Sequence, residues 1–399
     1  MKKIAWSFYI LIFGCVQLFS QASLEKQIQT QMILAEDGSV IELQSGLIHL
    51  TKSLSMEGKK NITIKGLGID KTILSFKNQS EGAEGIKITN CEHITLEDMT
   101  VQDSKGDLIK TMHVNGITMR HVKAEWTGKP SKNNGSYALY PVLCDNVLID
   151  SCIAIGASDA GIYVGQSKNI VVKNCTAYHN VAGIEIENSL YAEVHHNTAT
   201  NNTGGILIFD LPDLVQKKGG YVRVYDNIVK ENNLKNFAPK GNIVGKVPKG
   251  TGVLVLATNH VEILSNQILN NKTSGVGIIS YFMTENKIKD KDYYPYPSGI
   301  YIHDNNFERK HRRVPFAGRF AKIYWFKLKF GRDVPHIVYD GIVDKESLDA
   351  DGNVKPENRI CIRNNTNQSV GNMDAEHGFK NVSRDAKPFD CALNMIYMR

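Results

Sequence analysis

The sequence repeats a short strand pattern at an interval too small to hold a strand, a helix and a return. The pattern is a small residue followed by alternating apolar and polar positions. Its copies are Gly85-Ile-Lys-Ile, Ala138-Leu-Tyr-Pro, Gly161-Ile-Tyr-Val, Gly183-Ile-Glu-Ile, Gly205-Ile-Leu-Ile, Gly252-Val-Leu-Val and Gly299-Ile-Tyr-Ile. From residue 138 to 161 the interval is 23 residues, and the next two intervals are 22 each.

A second short strand follows each first strand at a matching offset. Its copies are Ile94-Thr-Leu, Ile117-Thr-Met, Val147-Leu-Ile, Ile170-Val-Val, Ala192-Glu-Val, Val222-Arg-Val and Val261-Glu-Ile. Two different strands that recur with the same period indicate a coil. Each strand would pair with its copy in the next turn, so that the backbone hydrogen bonds are satisfied. We therefore predict an all-β protein, a single-stranded right-handed parallel β-helix.

One side chain per coil is expected to stack at a corner of this solenoid. The corner series is Cys152, Cys175, Asn197, Asn227 and Asn266. Cys91 and Cys144 fall at another inward position, held elsewhere by residues such as Ser167 and Ser189. We interpret these four cysteines as free core thiols, because stacked in-register strands orient side chains poorly for a disulfide and no close pair has zinc-site spacing.

The N-terminus resembles an export signal. Lys2 and Lys3 precede an apolar run over residues 4–19, which is too short for a comfortable membrane span. We predict a signal peptide over residues 1–22, cleaved near Ser20 or Ala22, and a periplasmic or secreted protein without a transmembrane span. A lipoprotein attached at Cys15 is the alternative, which Phe13 argues against. The net charge of +6 is too small to argue for nucleic-acid binding.

The remaining chain divides by pattern into three segments. Residues 23–306 are predicted to be the β-helix, with a polar–apolar N-terminal cap over residues 24–34 and loop insertions near 124–136 and 210–250. Residues 307–334 mix basic and aromatic side chains. This mixture fits either a contact with anions or a membrane surface, or a solvated arm laid against the solenoid, which we favour. Residues 335–399 are predicted to form an irregular C-terminal extension that packs on the solenoid.

The chain resembles a bacterial family of exported parallel β-helix repeat proteins, whose coils are similar to those of periplasmic copper-pathway accessory proteins. The resembling elements are Ser158-Asp-Ala-Gly-Ile-Tyr-Val-Gly-Gln-Ser, Ala182-Gly-Ile-Glu-Ile-Glu-Asn-Ser, Gly205-Ile-Leu-Ile-Phe-Asp-Leu-Pro, Asn236-Phe-Ala-Pro-Lys-Gly-Asn, Tyr339-Asp-Gly-Ile-Val-Asp, Arg359-Ile-Cys-Ile-Arg-Asn-Asn and Pro388-Phe-Asp-Cys. The resemblance implies the fold, export and a disulfide between Cys361 and Cys391, but no reaction. The basic segment over residues 309–332 departs from the family pattern.

An outward-facing stripe along the first strands is the candidate site. Its members are Lys87, Lys110, Tyr140, Tyr163, Glu185, Leu207, Leu254 and Tyr301. The stripe would offer aromatic rings to the sugars of an extended polysaccharide. Carboxylates flank the same strands: Asp159 precedes the strand of Tyr163, Glu187 follows Glu185, and Asp210 follows the next strand. Trp126, from an inserted loop, would form a wall of the groove.

These side chains have the chemistry for two kinds of carbohydrate processing. A lyase or epimerase acting on uronates needs a cation on the acid group, a base and an acid, for which Lys110, Tyr163 and the carboxylates are candidates. A hydrolase needs two carboxyl groups across the scissile bond, and Asp159 with Glu185 is the first pair. We assign catalytic roles to Asp159, Tyr163, Glu185 and Lys110. Substrate-binding roles are assigned to Trp126, Tyr140, Glu187 and Asp210.

Simpler interpretations stand beside this one. Any exposed parallel sheet shows one Tyr or Lys per rung, and the paired-aspartate signature of pectin-type hydrolases and the Asp-Pro-His-Asp signature of alginate epimerases are both missing. No cofactor is expected, and no ligand set supports calcium. The alternative to a carbohydrate-interacting protein is a non-catalytic envelope scaffold, in which the loops at Glu125 and Asp210 dock another protein.

Overall fold

The computed structural model describes residues 24–310, 329–330 and 333–397. The predicted signal peptide and most of the basic–aromatic segment lie outside these residues. A helix over residues 24–34 begins the described chain and packs Ile28 and Met32 into the core. It therefore covers the first coil, which would otherwise expose apolar side chains and unpaired strand edges.

The rest of the described chain winds into coils of three strands, which we call faces 1, 2 and 3 in the order of the chain from residue 52 onward. Face 1 is an eleven-stranded parallel sheet. Its strands are Lys52–Glu57, Glu81–Thr89, Ile109–Met112, Tyr137–Val142, Ala160–Gly165, Ala182–Glu187, Gly204–Phe209, Thr251–Leu256, Ser274–Ile279, Ile337–Tyr339 and Val370–Asn372.

Faces 2 and 3 are joined because two long strands run through both, namely Glu92–Gln102 and Asn115–Glu125. The other face 2 strands are Val40–Glu42, Lys60–Lys65, Asp145–Asp150, Lys168–Lys173, Leu190–His195, Gly220–Tyr225, Asn259–Leu264, Ser298–His303 and Ile360–Arg363. The other face 3 strands are Gly46–His49, Thr72–Ser75, Ile153–Ile155, Thr176–Tyr178, Thr198–Thr200, Ile228–Lys230, Gln267–Leu269 and Asn306–Glu308.

Each strand pairs in parallel register with its copy in the next coil. On face 1, Ile162 pairs with Ile184, which pairs with Ile206, and all three side chains are buried inside the coil. The side chains of a strand alternate between its two sides. This register therefore stacks one row of apolar residues inside the solenoid and another row of side chains outside it.

The corner between faces 2 and 3 carries a ladder of buried asparagines. The side-chain Oδ1 of Asn227 accepts from the backbone N–H and the Nδ2 of Asn197, and the Oδ1 of Asn266 does the same for Asn227. The ladder continues to Asn305. Buried corner backbone groups are thus satisfied by side chains of the next coil. Cys152 occupies an earlier rung of the same ladder as a buried free thiol.

The coils continue past residue 306, the predicted end of the β-helix. Strands within residues 335–399 extend face 1 and face 2, and Cys361 forms a disulfide with Cys391, the pairing that the resemblance implies. Short 3-10 helices lie mainly in the connections and the C-terminal part. They are Ile243–Lys246, Tyr281–Thr284, Lys345–Ser347, Pro356–Asn358, Ala375–His377 and Lys387–Phe389. Within the described ranges, no helix has the length and apolarity needed to span a membrane.

Candidate functional site

The predicted stripe exists on face 1 from Lys87 to Leu254. Lys87 pairs with Lys110, and Lys110 pairs with Tyr140. Tyr163 pairs with Glu185 in the following coils. Tyr301 does not belong to this stripe. It lies on face 2, where it pairs with Glu262, because the strand Ser298–His303 is a second strand of its coil although it begins with the same small-residue pattern.

The outer side of face 1 is covered over its middle coils. Leu207, Phe209 and Leu254 point away from the coil interior but are buried, and they form a second apolar core with Val244 and Val247. A parallel sheet with apolar residues on both sides needs cover on both sides. The connection over residues 231–250 supplies part of this cover, so the middle of the predicted groove is closed.

Three tyrosines lie together where this cover ends. The ring of Tyr137 is 4.4 Å from those of both Tyr140 and Tyr163, and the rings of Tyr140 and Tyr163 are 5.0 Å apart. Tyr140 is partly exposed, whereas Tyr163 is buried. A Cβ at Gly165 would collide with the Tyr163 ring, so glycine is what allows that ring to lie along its own strand.

Three carboxyl groups accompany the tyrosines. Glu185, Asp159 and Glu187 are only 1%, 5% and 8% exposed. The Tyr163 hydroxyl donates to Glu187 Oε1 at 2.7 Å, and Asn242 Nδ2 donates to Asp159 Oδ2 at 2.8 Å. Glu185 Oε2 is buried and has no hydrogen-bond partner among the described residues. These carboxyls and Tyr137, Tyr140 and Tyr163 are called the tyrosine–carboxyl cluster below.

Burial changes the acid strength of these groups. It raises the pKa of Asp159 and that of Glu187 to about 7, with the neighbouring carboxylate charge of Glu187 adding to the shift of Asp159. The pKa of Glu185 is raised well above its usual value by burial and by Asp159 and Glu187. Like charges this close cannot all ionise at low cost. The cluster therefore holds protons near neutral pH.

Two further predicted residues lie beside the cluster. Lys110 Nζ is 3.8 Å from Glu84 Oε1 and 5.0 Å from the centre of the Tyr140 ring, so it forms an ion pair and a cation–π contact. Asp210 Oδ1 accepts from the Gly219 backbone N–H at 3.0 Å, and its Oδ2 is buried without a hydrogen-bond partner among the described residues. Burial raises the pKa of Asp210 to about 7, and Glu187 adds to this shift.

The prediction that Trp126 walls the groove is wrong. Trp126 is 5% exposed and belongs to the core inside the coil. Its Nε1 donates to the Ser104 backbone carbonyl at 2.9 Å. The large apolar ring is more stable inside the corner than on a polar surface, and its one donor finds a partner there.

Tyr137 and Asn242 are members of the site that the sequence does not indicate. Strand alternation points Tyr137 to the side opposite Tyr140, which is three residues further on, yet the centres of their rings are 4.4 Å apart. Asn242 reaches Asp159 from 83 residues away in the chain. In the described parts of the chain, no group of three or more His, Cys, Asp or Glu side chains is arranged to hold a metal ion.

Comparisons with known proteins agree with this architecture. Residues 52–214, less than half of the chain, match the family model described as the right handed beta helix region. The chain carries a right-handed parallel β-helix. The A-modules of the mannuronan C-5 epimerases AlgE4 and AlgE6 of Azotobacter vinelandii superpose with a TM-score of 0.53 each. They are 13% and 14% identical to this chain, cover 87% and 86% of it, and align over 91% and 90% of their own lengths.

A relative in sequence is the pre-neck appendage protein of Bacillus phage B103. It is 24% identical over an alignment of 206 positions, and the match covers 42% of this chain and 24% of that protein. The β-helix thus aligns with about a quarter of the length of this relative. At these identities the similarities establish the fold.

Proposed function

We propose that the protein binds an extended polysaccharide along the open end of face 1 and processes it by acid–base chemistry at the tyrosine–carboxyl cluster. The observation that carries this proposal is the group of buried carboxyls, Asp159, Glu185 and Glu187, beside the partly exposed Tyr140 and Lys110. Structurally similar modules are named as mannuronan C-5 epimerases, which fits a carbohydrate as the ligand class.

Tyr140 and Lys110 form the accessible edge of this site. An aromatic ring offers an apolar face to a sugar ring, and an ammonium group attracts an acidic or hydroxyl-rich ligand. Lys110 already lies over the Tyr140 ring, so the two side chains present one combined surface. In the proposal these two residues therefore bind substrate and the buried carboxyls act on it, so that Lys110 and Glu187 exchange the roles assigned to them from the sequence.

The carboxyls have acid strengths suited to proton transfer at neutral pH. A group whose pKa is about 7, as for Asp159 and Glu187, is populated in both its protonated and its ionised form there. One carboxyl would protonate the leaving oxygen as the glycosidic bond breaks. Another would accept a proton, either from the water that adds to the sugar carbon in hydrolysis or from C5 of a uronate in elimination. Glu187 is held by Tyr163, and Asp159 is held by Asn242.

Access to the carboxyls requires movement of the cover. Asn242 lies in the connection over residues 231–250, and its hydrogen bond to Asp159 closes the cluster from outside. Substrate that displaces Asn242 would take over the vacated hydrogen bond. In the proposal, this exchange couples binding to exposure of the reacting groups, since the carboxyl groups stay dry until substrate arrives.

The test uses purified full-length protein and a panel of acidic and neutral polysaccharides. Binding is measured by affinity electrophoresis, and products are measured as reducing ends and as unsaturated-product absorbance. Glu187→Gln is expected to lower turnover by at least about 100-fold, because it removes a proton-transfer group. Tyr140→Ala is expected to weaken binding by about tenfold.

Tyr301→Ala is the matched control, since this partly buried tyrosine lies on face 2. It is expected to leave binding and turnover unchanged. Equal losses in the Tyr140 and Tyr301 variants would contradict the placement of the site. Absence of both binding and turnover across the panel would contradict the proposed function and favour the non-catalytic scaffold.

A further inference from the structure

A groove of about 540 Å³ lies at the corner where the chain leaves face 3 and turns towards face 1. None of its lining residues belongs to the tyrosine–carboxyl cluster or to the stripe of face 1. The volume is in the range of roughly 300–1,000 Å³ that small-molecule sites occupy. We call this feature the corner groove.

The repeat itself builds the corner groove. His179, Asn201, Glu231 and Asn270 each follow a strand of face 3, in four consecutive coils. All four have a left-handed backbone, with φ of 61°, 54°, 54° and 56°. Rungs of a parallel sheet are about 4.8 Å apart, so these residues span roughly 14 Å along the axis. The groove is therefore elongated in the direction of the solenoid.

A partly buried arginine, one of whose donors has no partner among the described residues, lies at the C-terminal end of the groove. Arg309 Nε donates to the Asn271 carbonyl at 3.1 Å, and Nη1 donates to the Val334 carbonyl at 2.7 Å. Its Nη2 is buried and has no hydrogen-bond partner among the described residues. Burial lowers the pKa of Arg309 to about 10, which still leaves it charged at neutral pH. An unpaired buried donor on a charged group is costly unless a ligand satisfies it.

Two lysines add to the positive charge at this end. Lys272 lines the groove and forms no ion pair within the described part of the chain, while Lys310 Nζ is 3.5 Å from Glu308 Oε1. Glu231 contributes a carboxylate to the lining, one rung earlier. With Arg309, the lining carries three cations against one carboxylate, so the C-terminal end favours an anionic group.

Amide side chains continue the lining away from the cations. Asn233 is held in place, since its Nδ2 donates to the Asn270 carbonyl and its Oδ1 accepts from the Lys272 backbone N–H. Asn201 is exposed at the next coil towards the N-terminus. Amides spaced along one axis can donate to and accept from the hydroxyls of a ligand. Cations at one end and amides along the length match a ligand with an acid group and several hydroxyls.

We propose that the corner groove binds an acidic oligosaccharide, with a carboxylate on Arg309 and Lys272 and hydroxyls along the asparagines. This inference does not depend on the function proposed for face 1. The same cations would also attract a simple inorganic anion, and the length of the groove is what favours a chain of sugars. The experiment below separates these two ligands.

Isothermal titration calorimetry of the full-length protein is the test, with trigalacturonate, the neutral trisaccharide maltotriose and inorganic sulfate as probes. Trigalacturonate is expected to bind, more weakly as salt is added, and Lys272→Gln is expected to weaken it by at least about fivefold. Maltotriose and sulfate are expected to bind much more weakly than trigalacturonate. Arg309→Met is expected to abolish the binding.

Lys168→Gln is the matched control, because it removes an exposed cation from face 2. The Lys272 comparison is repeated in a Tyr140→Ala background, in which ligand binding at face 1 is impaired. Arg309 also holds two backbone carbonyls, so Lys272→Gln serves where Arg309→Met fails to fold. The proposal would be overturned if trigalacturonate did not bind, if Lys272→Gln did not weaken its binding, or if sulfate bound as tightly as trigalacturonate.

Discussion

At the scale of single residues, burial rather than side-chain type decides the chemistry of face 1. Glu185 occupies a position that strand alternation marks as outward, yet it is 1% exposed. Its pKa is raised well above the usual value of a glutamate, mainly by burial. A carboxyl that is hard to ionise when folded makes stability depend on pH.

Glu185→Gln is expected to show how much stability the protein loses when Glu185 ionises. The pKa of Glu185 is raised in the folded state, so stability that it contributes is fully present below about pH 4.5 and is lost as pH rises through the folded pKa. An amide does not ionise. The variant should therefore match the wild type near pH 4 and exceed its free energy of unfolding by at least about 1 kcal/mol near pH 9. Urea denaturation at both pH values measures this.

The matched control for that experiment is Glu42→Gln. Glu42 is exposed at the end of the strand Val40–Glu42. Its replacement should change stability by the same small amount at both pH values. A Glu185 variant that behaves like the Glu42 variant would show that burial of the Glu185 carboxyl carries no ionisation cost.

At the scale of elements, the asparagine ladder fixes one coil on the next. Strands of three residues, such as Ile228–Lys230, offer few backbone hydrogen bonds of their own. The Nδ2 of Asn227 donates to the Val194 carbonyl, and its Oδ1 accepts two hydrogen bonds from Asn197. Each asparagine thus satisfies buried backbone groups that short strands leave at the corner.

Asn227→Ala is expected to destabilise the protein by about 2–4 kcal/mol, because it leaves buried donors and an acceptor unpaired. Chemical denaturation followed by circular dichroism measures the loss. Asn115→Ala is the control, since Asn115 is exposed and its side-chain Oδ1 accepts a surface hydrogen bond from Asn146 Nδ2. Its cost should stay below about 0.5 kcal/mol. Similar costs for the two variants would contradict a special role of the ladder.

At the scale of the whole molecule, the described residues form more than one apolar core. The first runs inside the coils, and the second lies between face 1 and its cover, around Leu207, Leu254 and Val244. The second core converts an outward sheet surface into an interior. It also separates face 1 into a covered middle and an open end at Lys110 and Tyr140.

Replacing residues 237–247 with a short Gly-Ser linker is expected to keep the β-helix and expose the second core. Circular dichroism should retain the β signal, while fluorescence of a hydrophobic dye and light scattering should rise, since an apolar patch becomes accessible. Replacing the exposed loop over residues 127–133 is the control and should change neither signal. Unchanged dye binding in the first variant would mean that the cover does not protect face 1.

The sequence alone was sufficient to predict the coil. Period and strand alternation are local properties, so Ile162, Ile184 and Ile206 could be assigned to the interior from spacing. The corner asparagines followed from the same count. In a solenoid every coil repeats the environment of the previous one, which lets a local pattern determine a global shape.

Only the tertiary structure decided which outward side chains meet solvent. Tyr301 lies on face 2, Trp126 lies in the core, and Asn242 bonds to Asp159 although 83 residues separate them in the chain. Connections outside the repeat carry no period, and their paths depend on which apolar surface they can bury. The repeat therefore determined the solenoid, whereas non-local packing of the connections determined the site, because burial is a property of the whole folded chain.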